Sequence, residues 1–235
     1  MLKVDLHLHT GEDPVDILSY DAAALVDRAA ALGFQALAIT LHERQLVDPV
    51  LTGRARDRGI GLLPGIERTI EGRHVLLLNF PAGAAESAST FADVARLRAR
   101  GNGLVIAPHP FFPGSRCLGA DLDRHADLFD AVEWSYFWTR GANFNARAAA
   151  WARAHGLPIV GNSDLHDLRQ FGRTYSLIDA PADADAICDA IRRGRVSLVT
   201  EPVPPPQLAA VLLGMFMRGR RRRDLASVQS AVVER

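Results

Sequence analysis

The chain has 235 residues, 48% of them apolar and 23% charged, with equal numbers of basic and acidic side chains. This length and composition predict one α/β domain, and the zero net charge argues against stable nucleic-acid binding. The two cysteines, Cys117 and Cys188, form no C-x-x-C pair, which excludes a thiolate zinc site and is typical of a cytoplasmic protein. We expect neither a signal peptide nor a membrane-spanning helix, since no apolar run reaches about 18 residues.

Short apolar strands alternate with amphipathic helices along the chain. In order, the first elements are strand Leu2–His7, helix Ala22–Leu32, strand Ala36–Thr40, helix Val47–Arg58, strands Ile60–Ile66 and His74–Phe80, and helix Thr90–Arg100. The later elements are strand Leu104–Ala107, helix Ala120–Leu128, strand Ala131–Ser135, helix Asn143–His155, strands Pro158–Gly161 and Thr174–Ile178, helix Asp183–Arg193 and strand Val196–Val199. The repeated strand, loop and helix predict a parallel sheet with helices outside, closed into a barrel.

Histidines and carboxylates collect at or just after the ends of the apolar strands. These residues are His7, His9, His42, Glu67, His109, Glu133, Asp164 and His166. In a parallel barrel the carboxyl ends of the strands meet at one face, where active sites are built. Imidazole and carboxylate ligands together suit zinc, manganese or iron. The pattern therefore predicts a metal site at this face.

Two short motifs carry most of this signal. In Asp5-Leu6-His7-Leu8-His9-Thr10, the two imidazoles are expected on one side because strand side chains alternate with period two. The alternative is a polar strand with a chance pair of histidines. Asn162-Ser163-Asp164-Leu165-His166 places an acid and an imidazole two residues apart after a strand. The alternative for that motif is a helix N-cap.

Four further candidates keep open alternatives. Glu133 lies within an apolar run, where a carboxylate must be paired or bound to a metal. His109 stands between two prolines that hold it rigidly, as a ligand, a phosphate contact or a turn residue. His74 opens a strand and is either a ligand or a strand-edge residue. A loop acid, Asp13 or Asp16, completes the set unless both are ordinary loop acids, and Asp13 is preferred because it is nearer the histidine pair.

Five segments together resemble the PHP (polymerase and histidinol phosphatase) domain family over roughly residues 1–200. They are the two motifs above with Ile39-Thr40-Leu41-His42, Gly65-Ile66-Glu67 and Pro108-His109-Pro110. The resemblance implies a distorted (β/α)7 barrel with parallel strands and a site for two or three divalent ions, manganese, zinc or iron. It also implies hydrolysis of phosphate esters.

The resemblance also implies a distribution of ligands. One ion would take His7, His9, Glu67 and Asp164; a second Glu67, His109 or His74, and Glu133; and a third His42, His166 and a loop acid. The sequence departs from the family at Leu41, where members commonly carry an aspartate. Glu43 is a partial substitute in this interpretation.

The predicted function is metal-dependent hydrolysis of a small phosphate ester, either a phosphomonoester or a nucleotide. Asp164 would accept the proton of the nucleophile, and His166 or His109 would protonate the leaving group. Two alternatives stay open. One is a metal-dependent amidohydrolase using the same ligands. The other is a non-catalytic, metal-stabilised module, which the substitution at Leu41 favours.

Residues 201–235 are predicted to form a separate tail with a net charge of +3. A proline-rich segment precedes the apolar run Leu208–Met217 and the arginine-rich run Arg218–Arg223. The preferred interpretation is a helix that packs on the barrel with a solvated basic end. Peripheral contact with an anionic membrane is the less favoured alternative. The oligomeric state is not predicted.

Overall fold

The structure, a computed structural model, describes residues 1–218 of the chain. Its strands are β1 (Leu2–Leu8), β2 (Ala36–Ile39), β3 (Gly61–Ile70), β4 (Arg73–Leu78), β5 (Leu104–Ala107), β6 (Ala131–Ser135), β7 (Ile159–Asn162), β8 (Thr174–Ile178) and β9 (Val196–Thr200). Its helices are α1 (Ala22–Ala31), α2 (Pro49–Asp57), α3 (Ala82–Ser87), α4 (Phe91–Arg98), α5 (Asp121–Arg124), α6 (Asn145–Ala154), α7 (Ala184–Arg192) and α8 (205–218), with a 3-10 turn at Ala126–Leu128.

The strands form one nearly closed, barrel-shaped sheet, which confirms the predicted α/β barrel class. Their order is β7-β6-β5-β4-β3-β2-β1-β8-β9, with parallel pairing of β1, β2 and β3 and of β5, β6 and β7. Strands β4 and β8 run antiparallel to their neighbours. Helix α3 was not predicted, and β3 continues to Ile70, beyond its predicted end at Ile66.

Strand β4 is antiparallel because no crossover helix separates it from β3. The two strands are joined by Glu71 and Gly72, which both adopt positive φ, 48° and 83°. Such a two-residue turn is typical of a tight hairpin. The described barrel therefore contains nine strands of mixed direction instead of seven parallel ones. One consequence is that the start of β4, and not its end, reaches the face where the parallel strands end.

The barrel closes where the chain leaving β7 meets β1. Leu165 bridges to Leu8, and its amide donates to the carbonyl of His7 at 3.3 Å. Lower in the barrel, the amide of Gly161 donates to Ser176 Oγ at 2.8 Å. These contacts bring the second sequence motif beside the first.

We call the face where the parallel strands end the upper face of the barrel. The barrel interior is polar at this upper end and apolar at the opposite, lower end. A buried core cluster contains Leu63 of β3, Leu76 of β4, Ala131 of β6 and Val160 of β7. Polar or titratable side chains lie closer to the upper face in the same strands. They are two residues away in β4, β6 and β7, and four residues away in β3, where Gly65 intervenes. These are Glu67, His74, Glu133 and Asn162. The period of two thus directs these polar groups into the same interior.

An irregularity in β1 sets the direction of the histidine pair. Leu2, Val4 and Leu6 belong to the interior cluster, whereas Leu8 packs in a second cluster with α1. The register against β2 shifts between Asp5 and Leu8. Such a bulge re-aims the side chains that follow it. His7 and His9 consequently face the interior.

Helix α8 packs over the upper face of the barrel. The amide of Val203 donates to the carbonyl of Trp138 at 2.9 Å, and Val211 is buried. Gln207 Nε2 lies 3.3 Å from both Tyr136 Oη and the Arg169 carbonyl. The predicted arginine-rich run lies outside the described residues after Arg218. Within residues 1–218, no helix combines the length and the apolar character that crossing a bilayer requires.

Candidate metal centre

The structure brings all ten predicted ligands together at the upper face of the barrel. Glu67 lies at their centre and is almost fully buried. Its Oε2 atom is 3.4 Å from His7 Nε2, 3.4 Å from His9 Nε2 and 3.1 Å from His42 Nε2. Its Oε1 atom is 2.7 Å from His74 Nδ1 and 3.2 Å from His109 Nε2. One carboxylate therefore faces imidazoles from four other strands or strand exits, an arrangement suited to bridging cations.

The histidine pair and Asp164 form one group whose ligand atoms all lie within 4.8 Å of one another. Asp164 Oδ1 is 3.4 Å from His7 Nε2 and 3.7 Å from His9 Nε2. Both Nε2 atoms are buried, and neither has a hydrogen-bond partner among residues 1–218. A buried polar atom without a partner is costly unless a ligand satisfies it. These two nitrogens fit a cation.

A second group contains His9, His42 and the two loop acids. Asp13 Oδ2 is 2.9 Å from His9 Nδ1 and 3.1 Å from His42 Nδ1, and it also accepts the His42 amide at 2.9 Å. Asp16 Oδ2 is 3.0 Å from His166 Nε2 and 3.6 Å from His42 Nδ1. Both acids that the sequence left as alternatives thus reach the centre, in different positions.

A third group joins His7, His109 and Glu133. Glu133 Oε1 is 2.8 Å from His7 Nδ1, and Glu133 Oε2 accepts the amide of His109 at 2.8 Å. A residue before a proline usually has an extended backbone, whereas His109, which precedes Pro110, has a φ of +28°. The hydrogen bond to Glu133 accompanies this strained conformation. His109 also contacts Cys117, with 3.5 Å between Nδ1 and Sγ.

His74 reaches the centre because β4 is antiparallel to its neighbours and therefore starts at the upper face. It forms a fourth group with His42 and Glu67, and its Nε2 is a further buried nitrogen without a partner in the described chain. Two other histidines lie elsewhere: His125 stacks on Phe91 and His155 on Trp151, each with ring centroids 3.8 Å apart. They belong to none of the four groups.

The second motif follows β7 as a strained loop and not as a helix cap. Asp164 has a φ of +47°, and His166 Nδ1 lies 2.8 Å from the Asp164 carbonyl oxygen. Gln170 fixes this loop, since its Oε1 accepts the His166 amide at 2.8 Å and its Nε2 donates to the carbonyls of Ser163 and Asp164. Strain that the surroundings enforce is common at functional sites.

Sequence reasoning missed three residues that support the ligands: Asp5, Asn162 and Gln170. Asp5 accepts the Ser163 amide at 3.1 Å, and its burial raises the pKa of the carboxyl to about 7. Asn162 Nδ2 donates to Glu133 Oε1 at 3.0 Å. The signal for Asp5 was an acid within an apolar strand, the same signal that identified Glu133.

Burial and charge oppose each other throughout the centre. Burial raises the pKa of Glu67, but the imidazoles of His7, His74 and His42 outweigh it and hold that pKa well below its usual range. Burial lowers the pKa of His42, but the carboxylates of Glu67 and Asp13 outweigh it and raise that pKa to about 10. A cluster of buried acids that stabilises positive charge in this way also suits divalent cations, which would displace the imidazole protons.

Glu43 does not replace the acid that family members commonly carry at the position of Leu41. Leu41 is fully buried in the apolar cluster beneath α1. Glu43 accepts a hydrogen bond from the Thr69 amide at 3.2 Å and pairs with Arg68, so it does not replace the missing acid. Instead, the carboxylate of Asp13 supports His42.

The sequence of residues 142–196 matches the model of a family described as PHP-associated. This segment includes β7, β8 and the loop that carries Asp164 and His166. No curated protein sequence matches the chain.

Two solved structures share this fold over most of the chain. A two-domain protein from Bacteroides vulgatus, containing a predicted PHP-like metal-dependent phosphoesterase, matches with a TM-score of 0.65 and 17% identity, over 91% of this chain and 69% of that one. PsfC from Pseudomonas syringae matches with a TM-score of 0.64 and 19% identity, over 95% of this chain and 98% of that one. At these identities the likeness is one of fold.

The expectation of no nucleic-acid binding, drawn from net charge, is wrong. Endonuclease Q, solved with a 27-mer duplex and an abasic lesion at the active site, matches with a TM-score of 0.52 and 14% identity, over 84% of this chain and 58% of that one. The lesion-specific endonuclease Q of Pyrococcus furiosus matches similarly, with a TM-score of 0.54 and 16% identity, over 84% of this chain and 57% of that one. Net charge averages over the whole chain, whereas a nucleic acid meets local groups.

The family match includes the loop of Asp164 and His166, and the remaining motifs converge on that loop in three dimensions. The barrel is shared with PHP-like phosphoesterase structures. The chain therefore has the barrel fold of these structures, and its residues 142–196 match the model of the PHP-associated family.

Proposed function

We propose that this chain is a metal-dependent phosphoesterase that hydrolyses a small phosphate ester, a phosphomonoester or a nucleotide. The observation that carries the proposal is the convergence of two buried, unpartnered imidazole nitrogens, of His7 and His9, on the carboxylates of Glu67 and Asp164. A structural role in a stable barrel does not require such an arrangement, whereas a cation site does.

Two or three divalent ions, manganese, zinc or iron, are proposed to occupy the centre. His7, His9, Glu67 and Asp164 would hold the first ion. The second would use Glu67, Glu133 and His109 or His74, and the third would use His42, His166 and a loop acid. The group of His7, His9 and Asp164 supports the first assignment, and Glu67 lies against His42 and His74. Glu133 groups with His7 and His109. When bound, divalent ions supply a water of lowered pKa and stabilise charge on phosphoryl oxygens.

Around the ions, this chain's own residues would position and transfer protons. Asp164 lies beside both His7 and His166, with Oδ1 3.4 Å from a ring nitrogen of each, and would accept the proton of the attacking water. His109 borders the same cavity as Asp164 and would protonate the leaving oxygen. His166, whose Nδ1 lies 3.4 Å from Asp164 Oδ1, is the other candidate for that step.

The structural similarity to endonuclease Q widens the range of candidate substrates beyond small esters. A polynucleotide substrate is the second candidate, and the comparison with the lesion-bound complex favours including it. The metal-dependent amidohydrolase and the non-catalytic module are alternatives from other classes. All four make different predictions for one set of assays.

The first prediction concerns Asp164. The purified full chain is expected to contain divalent metal and to hydrolyse phosphomonoesters in an assay panel with Mn²⁺, Zn²⁺ or Fe²⁺. Asp164→Asn keeps the shape of the side chain but removes its charge, so kcat/KM should fall at least about a hundredfold. Metal content by elemental analysis and phosphate release are the measurements.

Asp167→Asn is the matched control, because Asp167 lies three residues away and pairs with Arg169 outside the centre. It is expected to keep normal turnover. Normal metal content and rate in Asp164→Asn would exclude the proposed role. Cleavage only of oligonucleotides, cleavage only of amides, or no turnover by a metal-loaded protein would each select the corresponding alternative.

A further inference from the structure

An apolar cavity of about 430 Å³ opens beside His109 and Asp164. Its walls include Phe112, Phe137 and Phe144 from the segments after β5 and β6, and Leu208, Leu212 and Met215 from α8. Cavities of this volume are typical of sites for small molecules. Apart from His109 and Asp164, none of the described residues that line it is charged.

The α8 wall is fixed to the barrel at both ends. At its start, Gln207 contacts Tyr136 and Arg169, and at its end Arg218 Nη2 donates to the His166 carbonyl at 3.0 Å. Val211, one residue before Leu212, is buried against the barrel. The position of the cavity wall is therefore set by the same loop that carries two of the candidate ligands.

Apolar side chains that line the cavity remain partly exposed. Leu212 is 48% exposed and Phe144 is 44% exposed. The rings of Phe112 and Phe144 are tilted against each other with centroids 5.4 Å apart. A further aromatic ring can pack beside such a pair. Exposed apolar surface next to a polar site is characteristic of ligand recognition.

We propose that this cavity binds the alcohol part of the substrate ester and that this part carries an apolar ring. The inference rests on the proposed phosphoesterase function, because the phosphate would lie at the metal centre while the ring enters the cavity past His109 and Asp164. The polar centre and the uncharged cavity then match the two halves of one molecule. Leu212 and Phe144 become determinants of specificity and not of the chemical step.

Benzyl phosphate and ethyl phosphate provide the test, because both release a primary alcohol and differ mainly in the ring. Burying the ring should raise kcat/KM for benzyl phosphate roughly tenfold to a hundredfold above that for ethyl phosphate. Binding of benzylphosphonate and ethylphosphonate to the metal-loaded full chain, measured by calorimetry, gives the same comparison without turnover.

Leu212→Gln is the diagnostic variant, since it places an amide in the cavity wall at little cost in helix propensity. It should lower the benzyl-to-ethyl ratio of kcat/KM about tenfold, mainly through a lower kcat/KM for benzyl phosphate. Leu213→Gln is the matched control: Leu213 is the next residue of α8, is 58% exposed and does not line the cavity. Its ratio should equal that of the unmodified chain.

The ring could belong to a small ester or to a nucleobase. Comparing thymidine 5′-monophosphate and a 5′-phosphorylated thymidine oligonucleotide with deoxyribose 5-phosphate identifies the source. A higher kcat/KM for either base-bearing substrate than for deoxyribose 5-phosphate supports the proposal. The substrate with the higher value shows whether the ring belongs to a mononucleotide or to an oligonucleotide.

Equal rates and equal affinities for ring-bearing and ring-free compounds would overturn the role of the cavity while leaving the phosphoesterase intact. Preferential binding of benzylphosphonate without hydrolysis of any phosphate ester would instead reject the proposed function and keep the cavity as a ring-binding site.

Discussion

At the scale of single residues, Asp13 organises more of the centre than its place in a loop suggests. One oxygen accepts from His9 and from both the ring and the amide of His42, and the other accepts the amides of Val15 and Asp16. Hydrogen bonding at Nδ1 sets the tautomer of both rings and leaves Nε2 directed at Glu67. Partners of this kind typically orient metal-binding histidines.

The second prediction is that Asp13→Asn weakens metal binding without unfolding the protein. An amide cannot supply the charge that the two imidazoles share, so the affinity for Mn²⁺ or Zn²⁺ should fall about 10- to 100-fold. Calorimetric titration of the metal-free chain measures the change.

Asp48→Asn serves as its control, because Asp48 caps α2 outside the centre and asparagine caps a helix about as well as aspartate. Unchanged affinity in Asp13→Asn would show that the histidines hold their orientation without this acid.

At the scale of elements, the junction between β7 and β8 closes the barrel beneath Asn162 and Asp164. It depends on Gly161, where an added Cβ would lie 2.5 Å from Leu198 Cδ1 and 2.7 Å from the Tyr175 carbonyl oxygen. Those distances are too short for any side chain unless the strands separate. The close approach of backbone to backbone is what allows β7 to bring its loop beside β1.

The third prediction is that Gly161→Ala destabilises the fold. Overpacking at a closed junction should lower the free energy of unfolding by about 1–3 kcal/mol, measured by urea denaturation. Gly53→Ala is the comparison, because nothing lies within 4 Å of the added carbon within α2. That variant should be neutral or gain up to about 1 kcal/mol. Equal stability of the two variants would contradict a close-packed junction.

At the scale of the whole molecule, the nine strands and the ligands occupy residues 1–200, and α8 lies across them. Helix α7 contributes Ile187 and Ile191 to the interior core from the opposite end. The barrel is thus complete before α8 begins. The tail adds a wall to the cavity and two buried valines, Val203 and Val211.

The fourth prediction is that a chain ending at residue 200 folds cooperatively and still binds metal, with a lower melting temperature. Removing the two buried valines should lower the free energy of unfolding by roughly 3 kcal/mol or more. Calorimetry and elemental analysis, with a chain ending at residue 218 as control, test this. Failure of the shorter chain to take up metal would show that α8 belongs to the folding unit.

Local features of the sequence predicted much of this molecule. The positions of most strands, the positions of helices such as α1 and α7, and the residue types at the strand ends follow from periodicity and composition within short segments. The prediction of parallel strands throughout did not anticipate β4 and β8. The hairpin at Glu71 and Gly72 lacks a strong turn signal, since glutamate rarely adopts positive φ.

The sequence by itself determined an α/β barrel with histidines and carboxylates at one face, because side-chain alternation and helix amphipathicity are properties of neighbouring residues. Only the tertiary structure decided which acid faces which imidazole. His7 meets Glu133 across 126 positions of sequence, and Arg218 reaches His166 across 52. Such pairings depend on strand order, on the bulge in β1 and on the closure at Gly161. Contacts between distant segments arise from packing the whole barrel, and no local pattern specifies them.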